Sequence, residues 1–225
     1  MQKVVVFTGS GISAESGIKT FRDHDGLWEN YKIEEVATPE AWYRNPGLVL
    51  DFYNMRRKEV LNSKPNAAHF ALQKLESKFD VRIITQNIDD LHERAGSSNV
   101  LHLHGEIVKA RSSVNDQLIY DIEGWEMKHG EQSPDGSLLR PHIVWFGEMV
   151  PMLSVAAEVV SEADVFIVIG TSLAVYPAAG LVHYAPYDSL KFLVDPSESV
   201  SLKGVEIIRK KAGEGVPDLV DRLLK

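Results

Sequence analysis

A glycine-rich turn near the amino end is the first group of residues whose spacing suggests chemistry. Gly9, Gly11 and Ala14 follow a short apolar run and match the G-x-G-x-x-G/A spacing of turns that bind a dinucleotide. In such turns, small residues let the backbone approach a pyrophosphate at a helix N-terminus. A tight strand-to-helix turn without a ligand has the same spacing, so the motif alone is a weak indication. The following residues, 20–28, show no strand pattern, unlike the second strand of an ordinary dehydrogenase.

Polar side chains also follow a second predicted strand. Gln86, Asn87, Ile88 and Asp89 come directly after the apolar run that ends at Thr85. Ligands of open α/β sheets bind at the carboxyl ends of the parallel strands, where these side chains would lie. Helix capping by Asn87 or Asp89 would explain the same residues without a ligand.

Two histidines, His102 and His104, alternate along a short predicted strand that ends at Gly105. This alternation predicts that both rings lie on one face of the strand. Paired imidazoles suggest a metal, but two nitrogens without a third ligand nearby make a poor zinc site. A single histidine acting as a general base is the better interpretation, because its pKa lies near neutrality.

Two further segments could bind a ligand. Residues 140–148 are extended and apolar and end in a glycine turn, which predicts either a core strand or an edge strand that pairs with an extended peptide. Gly170, Thr171, Ser172 and Val175 follow another buried run, and their hydroxyl and backbone donors suit phosphate or ribose.

The elements that would position these residues alternate between strand and helix. The predicted strands are Val4–Phe7, Val81–Thr85, Val165–Ile169, Phe192–Val194 and Val205–Ile208. The predicted helices run over Pro65–Lys78, after Pro151, and from Pro217 to Leu224. This alternation predicts an α/β fold with a Rossmann-like, doubly wound parallel sheet. Residues from about 20 to 62 (helical and loop-like) and from about 106 to 140 (polar and irregular) do not fit it, and they are predicted to form a smaller inserted lobe of one domain, 1–225.

The net charge, the apolar runs and the cysteine content of the chain limit its possible partners and chemistry. The formal net charge is −8, from 24 basic and 32 acidic side chains, which argues against nucleic-acid binding through a broad basic field. No apolar run reaches the roughly 18 residues of a membrane span, and a strand begins at once without room for a signal peptide, so we expect a cytoplasmic protein. Cysteine is absent, which excludes disulfides and thiolate catalysis. The sequence leaves the oligomeric state open.

In this order and at these strand ends, the segments resemble the sirtuin family, the NAD-dependent protein lysine deacylases. The similarity runs from Val4 to the C-terminal helix, with Ser10 where the family usually has alanine. It implies NAD as the cofactor and acylated lysine side chains of proteins or peptides as partners. It also implies that His104 is the catalytic base. In the family, the acyl oxygen attacks the ribose carbon as nicotinamide leaves, and the histidine then deprotonates a ribose hydroxyl.

The resemblance implies a set of binding residues as well. The expected cofactor-binding residues are Gly9, Ser10, Gly11, Glu15, Thr20, Phe21, Arg22, Gln86, Asn87, Ile88, Asp89, Gly170, Thr171, Ser172, Asp195 and Ala212. The expected contacts of the acyl-lysine peptide are Val144, Phe146 and Gly147. Asp195 stands where the family commonly has asparagine near the adenine ribose, and a carboxylate can also accept from ribose hydroxyls.

One departure concerns a structural metal. Most relatives carry four cysteines that bind zinc in the small lobe, and this chain has none. Ser112 and Ser113 lie about where the first pair would fall, and residues 133–135 about where the second would. Serine and a lone aspartate do not make a tetrahedral zinc site, so we predict no metal. The lobe is then expected to be held by packing, through Ile119, Tyr120, Ile122 and Trp125.

A predicted helix over Gly47–Asn62 places Val49, Tyr53, Arg56 and Val60 on one face. By itself, the pattern leaves two alternatives for the arginine: it lies at the solvated edge of this helix face, or its charge binds an anion. Tyr53 and Arg56 match the Tyr-x-x-Arg pair of the desuccinylase-like branch of the family. Because guanidinium fits a carboxylate and a tyrosine hydroxyl adds a donor, the resemblance favours succinyl- or malonyl-lysine over acetyl-lysine. It does not rank succinyl, malonyl and glutaryl.

Two other functions are compatible with these motifs. A mono-ADP-ribosyltransferase would cleave NAD in the same way and use a different acceptor. A non-catalytic sensor of NAD or ADP-ribose would bind without reacting, and the presence of His104 and of the segment 86–89 weighs against it.

Overall fold

The computed structural model describes residues 1–19 and 31–225, together with the backbone of residues 27 and 28. Three of the expected cofactor contacts, Thr20, Phe21 and Arg22, lie outside the described residues. In chain order the elements are β1 (Lys3–Thr8), β2 (Leu27–Trp28), β3 (Tyr31–Lys32), α1 (Ile33–Val36), α2 (Pro39–Arg44), α3 (Pro46–Asn62), α4 (Ala67–Leu75), β4 (Asp80–Thr85), α5 (Leu91–Arg94), β5 (Val100–His102), β6 (Gly105–Ser112), β7 (Ile119–Asp121), β8 (Leu139–Ile143), α6 (Leu153–Ser161), β9 (Val165–Ile169), β10 (Leu190–Val194), β11 (Glu206–Ile208) and α7 (Ala212–Leu223).

A six-stranded parallel sheet, in the order β11-β10-β9-β1-β4-β5, forms the centre of the molecule. Strand β1 pairs in parallel with β4 on one side and with β9 on the other. The chain therefore extends the sheet in one direction from β1 and then returns to extend it in the other, which is the doubly wound arrangement. This confirms the predicted fold class, and the predicted strands all lie in this sheet.

Both faces of the sheet are covered because β1 and β9, at its centre, present apolar side chains to both sides. In β1, Val4 and Val6 pack with α4 and α7 on one face, whereas Val5 and Phe7 pack with α6 and the 3-10 segment Ala178–Tyr184 on the other. All four side chains are fully buried. Continuous apolar runs are typical of strands that are buried on both faces. None of the helices in the described part of the chain is long and apolar enough to cross a bilayer.

The C-terminal helix begins earlier than predicted. Helix α7 starts at Ala212 and contains Pro217, which we expected at its first turn. Its N-terminus is capped from outside the helix, because the Glu15 carboxylate accepts a hydrogen bond of 2.7 Å from the Gly213 amide. A carboxylate there also interacts favourably with the helix dipole.

A smaller lobe lies beside the sheet. Helices α1 to α3 supply one part of it, as predicted for the helical stretch up to residue 62, and a three-stranded antiparallel sheet, in the order β7-β6-β8, supplies the other. The expectation that residues 106–140 are irregular was wrong. In β6, buried Ile107 and Ala110 are separated by Val108 and Lys109 and by a break in the pairing register, so the alternation of a strand is interrupted and hard to detect there. Strand β8 pairs with β6 on one side only, so residues 140–143 lie in an edge strand of the antiparallel sheet, and pairing of the segment 140–148 with an extended peptide stays a prediction.

A buried arginine joins helix α3 to this antiparallel sheet. The Arg57 guanidinium, which has no solvent exposure, donates to the carbonyl oxygen of Ile107 (2.6 Å), to Oδ1 of Asn54 (2.7 Å) and to the carbonyl oxygen of Trp125 (2.9 Å). Burial lowers the pKa of Arg57 to about 10. Asn54 adds two bonds to the backbone of Met127, each of 2.9 Å. Hydrogen bonds to a desolvated cation therefore fix the antiparallel sheet of the lobe to α3.

The apolar packing expected in the lobe was wrong for two of its four residues. Ile119 and Trp125 are 43% and 40% exposed. A polar cluster lies at the serine positions instead: Asp135 accepts from the hydroxyls of Ser112 and Ser137, each at 2.7 Å. These hydrogen bonds, that of Ser137 foremost, lower the pKa of Asp135 to about 2. Among the described residues no group of His, Cys, Asp and Glu is arranged to hold a metal ion.

We expect Arg57→Lys to reduce the free energy of unfolding by about 3 kcal/mol, because an ammonium cannot reproduce the fork and leaves buried carbonyls unpaired. Chemical denaturation of the variant would measure this loss. Arg44→Lys, at an exposed arginine on α2, is the matched control and should change stability by no more than about 0.5 kcal/mol. Equal effects of the two substitutions would contradict the role assigned to Arg57.

Candidate active site

A cleft lies between the carboxyl ends of the central strands and the smaller lobe. On the sheet side it is lined by Gly9, Ser10, Ser13, Gln86, Asn87, Ile88, Asp89, His104, Thr171, Ser172 and Val175. On the lobe side it is lined by Tyr53, Arg56 and the segment from Ile143 to Glu148. The fold therefore brings together most of the described residues that the sequence nominated. The expected residues Gly11, Glu15, Gly170, Asp195 and Ala212 lie outside this lining.

The glycines of the first turn are required by the neighbouring turn. The Gly11 amide donates to the Gly170 carbonyl at 2.8 Å, and a Cβ at Gly11 would lie 2.7 Å from the Gly170 Cα. Gly170 has φ +58°, and a Cβ at Gly170 would lie 2.7 Å from the Gly11 Cα. The turn leads into two 3-10 segments, Ser10–Ile12 and Ala14–Ser16, in place of the α-helix that its spacing is typical of. Close contact between two turns is thus the structural reason for the glycines.

Two of the expected cofactor-binding residues outside the cleft lining, Asp195 and Ala212, have structural roles in the sheet domain. Asp195 is 3% exposed, and its Oδ1 accepts a hydrogen bond of 2.8 Å from the Ser197 amide. Ala212 is the first residue of α7 and packs in the core on one face of the sheet.

A buried polar network supports the segment after β4. The Ser13 hydroxyl donates to Oδ2 of Asp89 at 3.0 Å and accepts from the side-chain amide of Asn87 at 3.1 Å. Oδ1 of Asp89 also accepts from the Leu91 amide at 3.2 Å, so the helix-capping alternative and the cleft position both hold for this residue. Burial raises the pKa of Asp89, although these hydrogen bonds oppose the shift. Sequence reasoning missed Ser13, whose only signal is its place just after the glycine turn.

Gln86 connects the ends of β4 and β9. Its side-chain amide donates to Oγ1 of Thr171 at 3.0 Å, and its backbone amide donates to the Thr8 carbonyl at 3.0 Å. Its carbonyl oxygen is 2.9 Å from Nδ1 of His104. Because a carbonyl only accepts, Nδ1 of His104 carries the proton, and Nε2 is left as the basic nitrogen. Burial lowers the pKa of His104, so the ring is neutral at pH 7 and able to accept a proton.

The two histidines do not share a strand. Strand β5 ends at His102, and Gly105, with φ +80°, begins β6, so the expectation of one short strand ending at Gly105 was wrong. A Cβ at Gly105 would lie 2.1 Å from the His142 carbonyl oxygen, which requires glycine at this corner. The corner gives the two rings different surroundings, and only His104 lines the cleft.

Helix α3 carries the lobe-side polar groups. Its predicted stripe of Val49, Tyr53, Arg56 and Val60 is buried, with exposures of 0%, 0%, 4% and 2%, so Arg56 is not a solvated edge. Arg56 donates from Nη1 to Oε2 of Glu59 at 2.8 Å. The Tyr53 hydroxyl accepts from Nε1 of Trp145 at 3.1 Å, and burial raises the pKa of Tyr53.

The expected peptide-binding segment is attached at both ends. The Val144 amide donates to the His104 carbonyl at 2.9 Å, and the Phe146 amide donates to the Ala37 carbonyl at 3.0 Å. The Phe146 side chain is 42% exposed at the edge of the cleft, next to Gly147 with φ +91°.

Comparison with known proteins agrees with this arrangement. The model of the Sir2 family matches residues 9–177. A protein of Bacteroides thetaiotaomicron named NAD-dependent protein deacylase is 51% identical over 231 residues, covering 100% of this chain and 99% of that protein. A protein of Helicobacter pylori with the same name is 50% identical over 227 residues, again covering 100% and 99%. This chain belongs to the Sir2 family.

Solved structures of Sir2 proteins share the fold. A Sir2 homologue in complex with NAD is 41% identical and has a TM-score of 0.89, covering 99% of this chain and 89% of that one. A Sir2 mutant bound to a deacetylated peptide and 3′-O-acetyl ADP-ribose is 33% identical, with a TM-score of 0.80 and coverages of 98% and 92%. The family assignment thus rests on both sequence and structure.

For this Sir2-family protein, we expect Gly11→Ala to lower the free energy of unfolding by about 1 to 3 kcal/mol, because the added methyl overlaps the Gly170 backbone. Gly180→Ala is the control, since a Cβ there meets nothing within 4 Å. Thermal and chemical unfolding of both variants would measure the difference. A Gly11→Ala protein as stable as the control would refute the contact as the reason for this glycine.

Proposed function

We propose that this protein is an NAD-dependent protein-lysine deacylase that prefers acyl groups bearing a carboxylate. The observation that carries the first part is the tautomer of His104, whose Nε2 is a free base at the cleft because Nδ1 is held by the Gln86 carbonyl. The names of the relatives and the NAD and acetyl-ADP-ribose complexes of related structures support the same chemistry. On this proposal the products are nicotinamide and an O-acyl-ADP-ribose.

The residues of the cleft suit NAD in the donors and acceptors they offer. Buried polar groups reach its surface at Ser13, Asn87 and Asp89, held in place by hydrogen bonds among themselves. Residues of the two glycine-containing turns and the segment 86–89 would hold the nucleotide, with Thr171 and Ser172 opposite. Bound NAD would supply the ribose carbon that receives the acyl oxygen of the substrate lysine. Thr20, Phe21, Arg22, Glu15, Asp195 and Ala212 remain part of the proposal on the strength of the resemblance.

His104 would act as the base of the reaction. Its burial lowers its pKa and keeps Nε2 unprotonated at neutral pH, so that it can take a proton from a ribose hydroxyl. The hydrogen bond from Nδ1 fixes the orientation of the ring, because rotation would break it. The protein therefore provides a positioned neutral imidazole.

The acyl preference rests on Arg56 and Tyr53. A guanidinium that is 4% exposed at the cleft is poorly solvated and gains from a carboxylate partner. Glu59, on the next turn of α3, already contacts this guanidinium, and its side chain is 39% exposed. A succinyl or malonyl carboxylate would therefore compete with Glu59 for Arg56, whereas an acetyl group would not.

The test of the activity is a panel of acyl-lysine peptides with NAD, analysed by mass spectrometry for O-acyl-ADP-ribose. We expect His104→Ala to lower kcat by about 100-fold or more while NAD binding persists. His129→Ala, which removes an exposed histidine outside the cleft, should leave the rate unchanged. ADP-ribosylated peptide in place of deacylated peptide would support a transferase, and binding without any product would support a sensor.

The pH profile provides a second check on His104. The neutral ring is the active form, and its pKa lies below the ordinary value of 6.5. Activity should therefore be retained as the pH falls to 6.5 and be lost only below it, when the ring becomes protonated. A loss of kcat/KM on acidification that is already centred above pH 6.5 would contradict a base in this environment.

We expect Arg56→Met to lower kcat/KM for succinyl-lysine peptide by about tenfold or more relative to acetyl-lysine peptide, since a charged hydrogen bond is lost. Glu59→Gln should change the same ratio in the opposite direction by a few-fold, because the competing carboxylate is gone. Arg44→Met and Glu40→Gln, at exposed positions of α2, are the controls. Equal losses for both acyl groups in Arg56→Met would contradict the proposed preference.

A further inference from the structure

The ring of His102 lies behind the cleft between two hydrogen-bond acceptors. Its Nδ1 is 3.1 Å from the main-chain oxygen of Asn87, and its Nε2 is 2.8 Å from Oε1 of Glu93. A carbonyl oxygen and an ionised carboxylate accept hydrogen bonds and do not donate them. Both ring nitrogens must therefore carry a proton for both bonds to form, which makes His102 an imidazolium in this arrangement.

The surroundings of His102 agree with a charged ring. Its side chain is 8% exposed. Burial disfavours the charge, but the hydrogen bond and charge of Glu93, the charge of Glu106 and the bond to Asn87 together raise the pKa of His102. Burial also opposes ionisation of Glu93, and its bond to His102 outweighs this and lowers the pKa of Glu93.

Other ionisable groups act on this pair from neighbouring elements. Lys109, on β6 with Glu106, pairs with Glu106 at 2.9 Å and favours ionised Glu93. Asp89, at the start of α5, and His92, within it, also interact electrostatically with His102. The pKa of His92 is lowered by its burial, so this neighbouring ring is neutral.

Asn87 is the residue through which His102 can affect the cleft. Its amide donates to Oγ1 of Thr85 at 3.0 Å, its side chain donates to Ser13 at 3.1 Å, and its carbonyl accepts from His102. The preceding residue, Gln86, supplies the carbonyl that holds Nδ1 of His104. A rotation of the Asn87 peptide would therefore disturb both the polar network and the orientation of the base.

We propose that His102, kept cationic by Glu93, is a positioning residue that fixes the backbone of Asn87 and thereby the orientation of His104 at the cleft. It acts through Asn87 and does not line the cleft itself. The inference rests on the proposed function, because its kinetic readout is NAD-dependent deacylation.

The charge of His102 has a defined pH dependence. As the pH rises through the raised pKa, the ring keeps a single N–H for two acceptors, and one of the two bonds is lost. An alkaline decline in kcat/KM for NAD should follow. Without the Glu93 charge, burial dominates and the pKa of His102 falls, so the decline should move to lower pH.

The experiment compares Glu93→Gln and His102→Asn with wild type in pH profiles of kcat and of kcat/KM for NAD. Glu93→Gln should reach its alkaline decline at lower pH, and at pH values between its decline and that of wild type it should be about tenfold less active than wild type. In His102→Asn the side-chain amide can take the place of Nδ1 toward Asn87 without titrating, so this decline should disappear. Asp51→Asn is the matched control, since Asp51 and His129 form a histidine–carboxylate contact of the same 2.8 Å length on the exposed surface.

Nuclear magnetic resonance titration of the histidine rings separates the possible outcomes. A lowered His102 pKa in Glu93→Gln with an unchanged alkaline decline would overturn the positioning role. If wild type made no deacylated product, the proposed function would fail, but the titration would still decide the structural claim. Deprotonation of His102 should then shift the signals of the Asn87 amide and of the His104 ring. Signals that do not change during this titration would overturn the proposed positioning by His102. Thermal unfolding at neutral pH verifies that both variants are folded.

Discussion

The cleft depends on the attachment of helix α3 to the antiparallel sheet by the buried Arg57. Helix α3 carries Tyr53 and Arg56 on the lobe side of the cleft, and the corner from which β6 begins carries His104. If α3 moved relative to β6, Tyr53 and Arg56 would move relative to His104. The guanidinium opposes this movement because it is fully buried, and a buried donor that loses its acceptor is costly. Fixed positions of catalytic groups are what an active site needs from its scaffold.

The two histidines two residues apart illustrate how neighbours set protonation. His104 has one acceptor, the Gln86 carbonyl, and burial lowers its pKa. His102 has two acceptors, one of them charged, and its pKa is raised in spite of burial. The corner at Gly105 makes the difference possible, because a continuous strand would have given both rings similar surroundings. One side chain is thus available as a base, and the other provides a fixed charge behind it.

The sheet was predictable from the sequence because its central strands are apolar runs bounded by polar turns, as in β1 and β9. The cleft side of the sheet was predictable for the same reason, since the residues after each run meet at one edge. Strand β6 was not detected, because its pattern is interrupted by a register break and only one of its faces is buried. The partners of Arg57 and His102 were also beyond sequence reasoning. Apart from Asn54, the acceptors named above are main-chain carbonyls and the Glu93 carboxylate, 9 to 68 residues away along the chain. A main-chain carbonyl is present at every residue, so the sequence does not show which one will accept.

Two different interactions hold the lobe. The buried Arg57 cation joins α3 to β6, and local hydrogen bonds of Asp135 hold the loop that follows β6. Asp135 is exposed, and its partners Ser112 and Ser137 fold one loop back on the end of β6. Because its folded pKa of about 2 lies below the ordinary value, its contribution is complete above that ordinary value and is lost only as the pH falls toward 2. The pKa of His102 is raised above 6.5, so the titration of this ring is far from the loss at Asp135. The Asp135 hydrogen bonds therefore stay intact while His102 changes charge. A change of rate that follows the titration of His102 would then reflect the Asn87 support and not this part of the lobe.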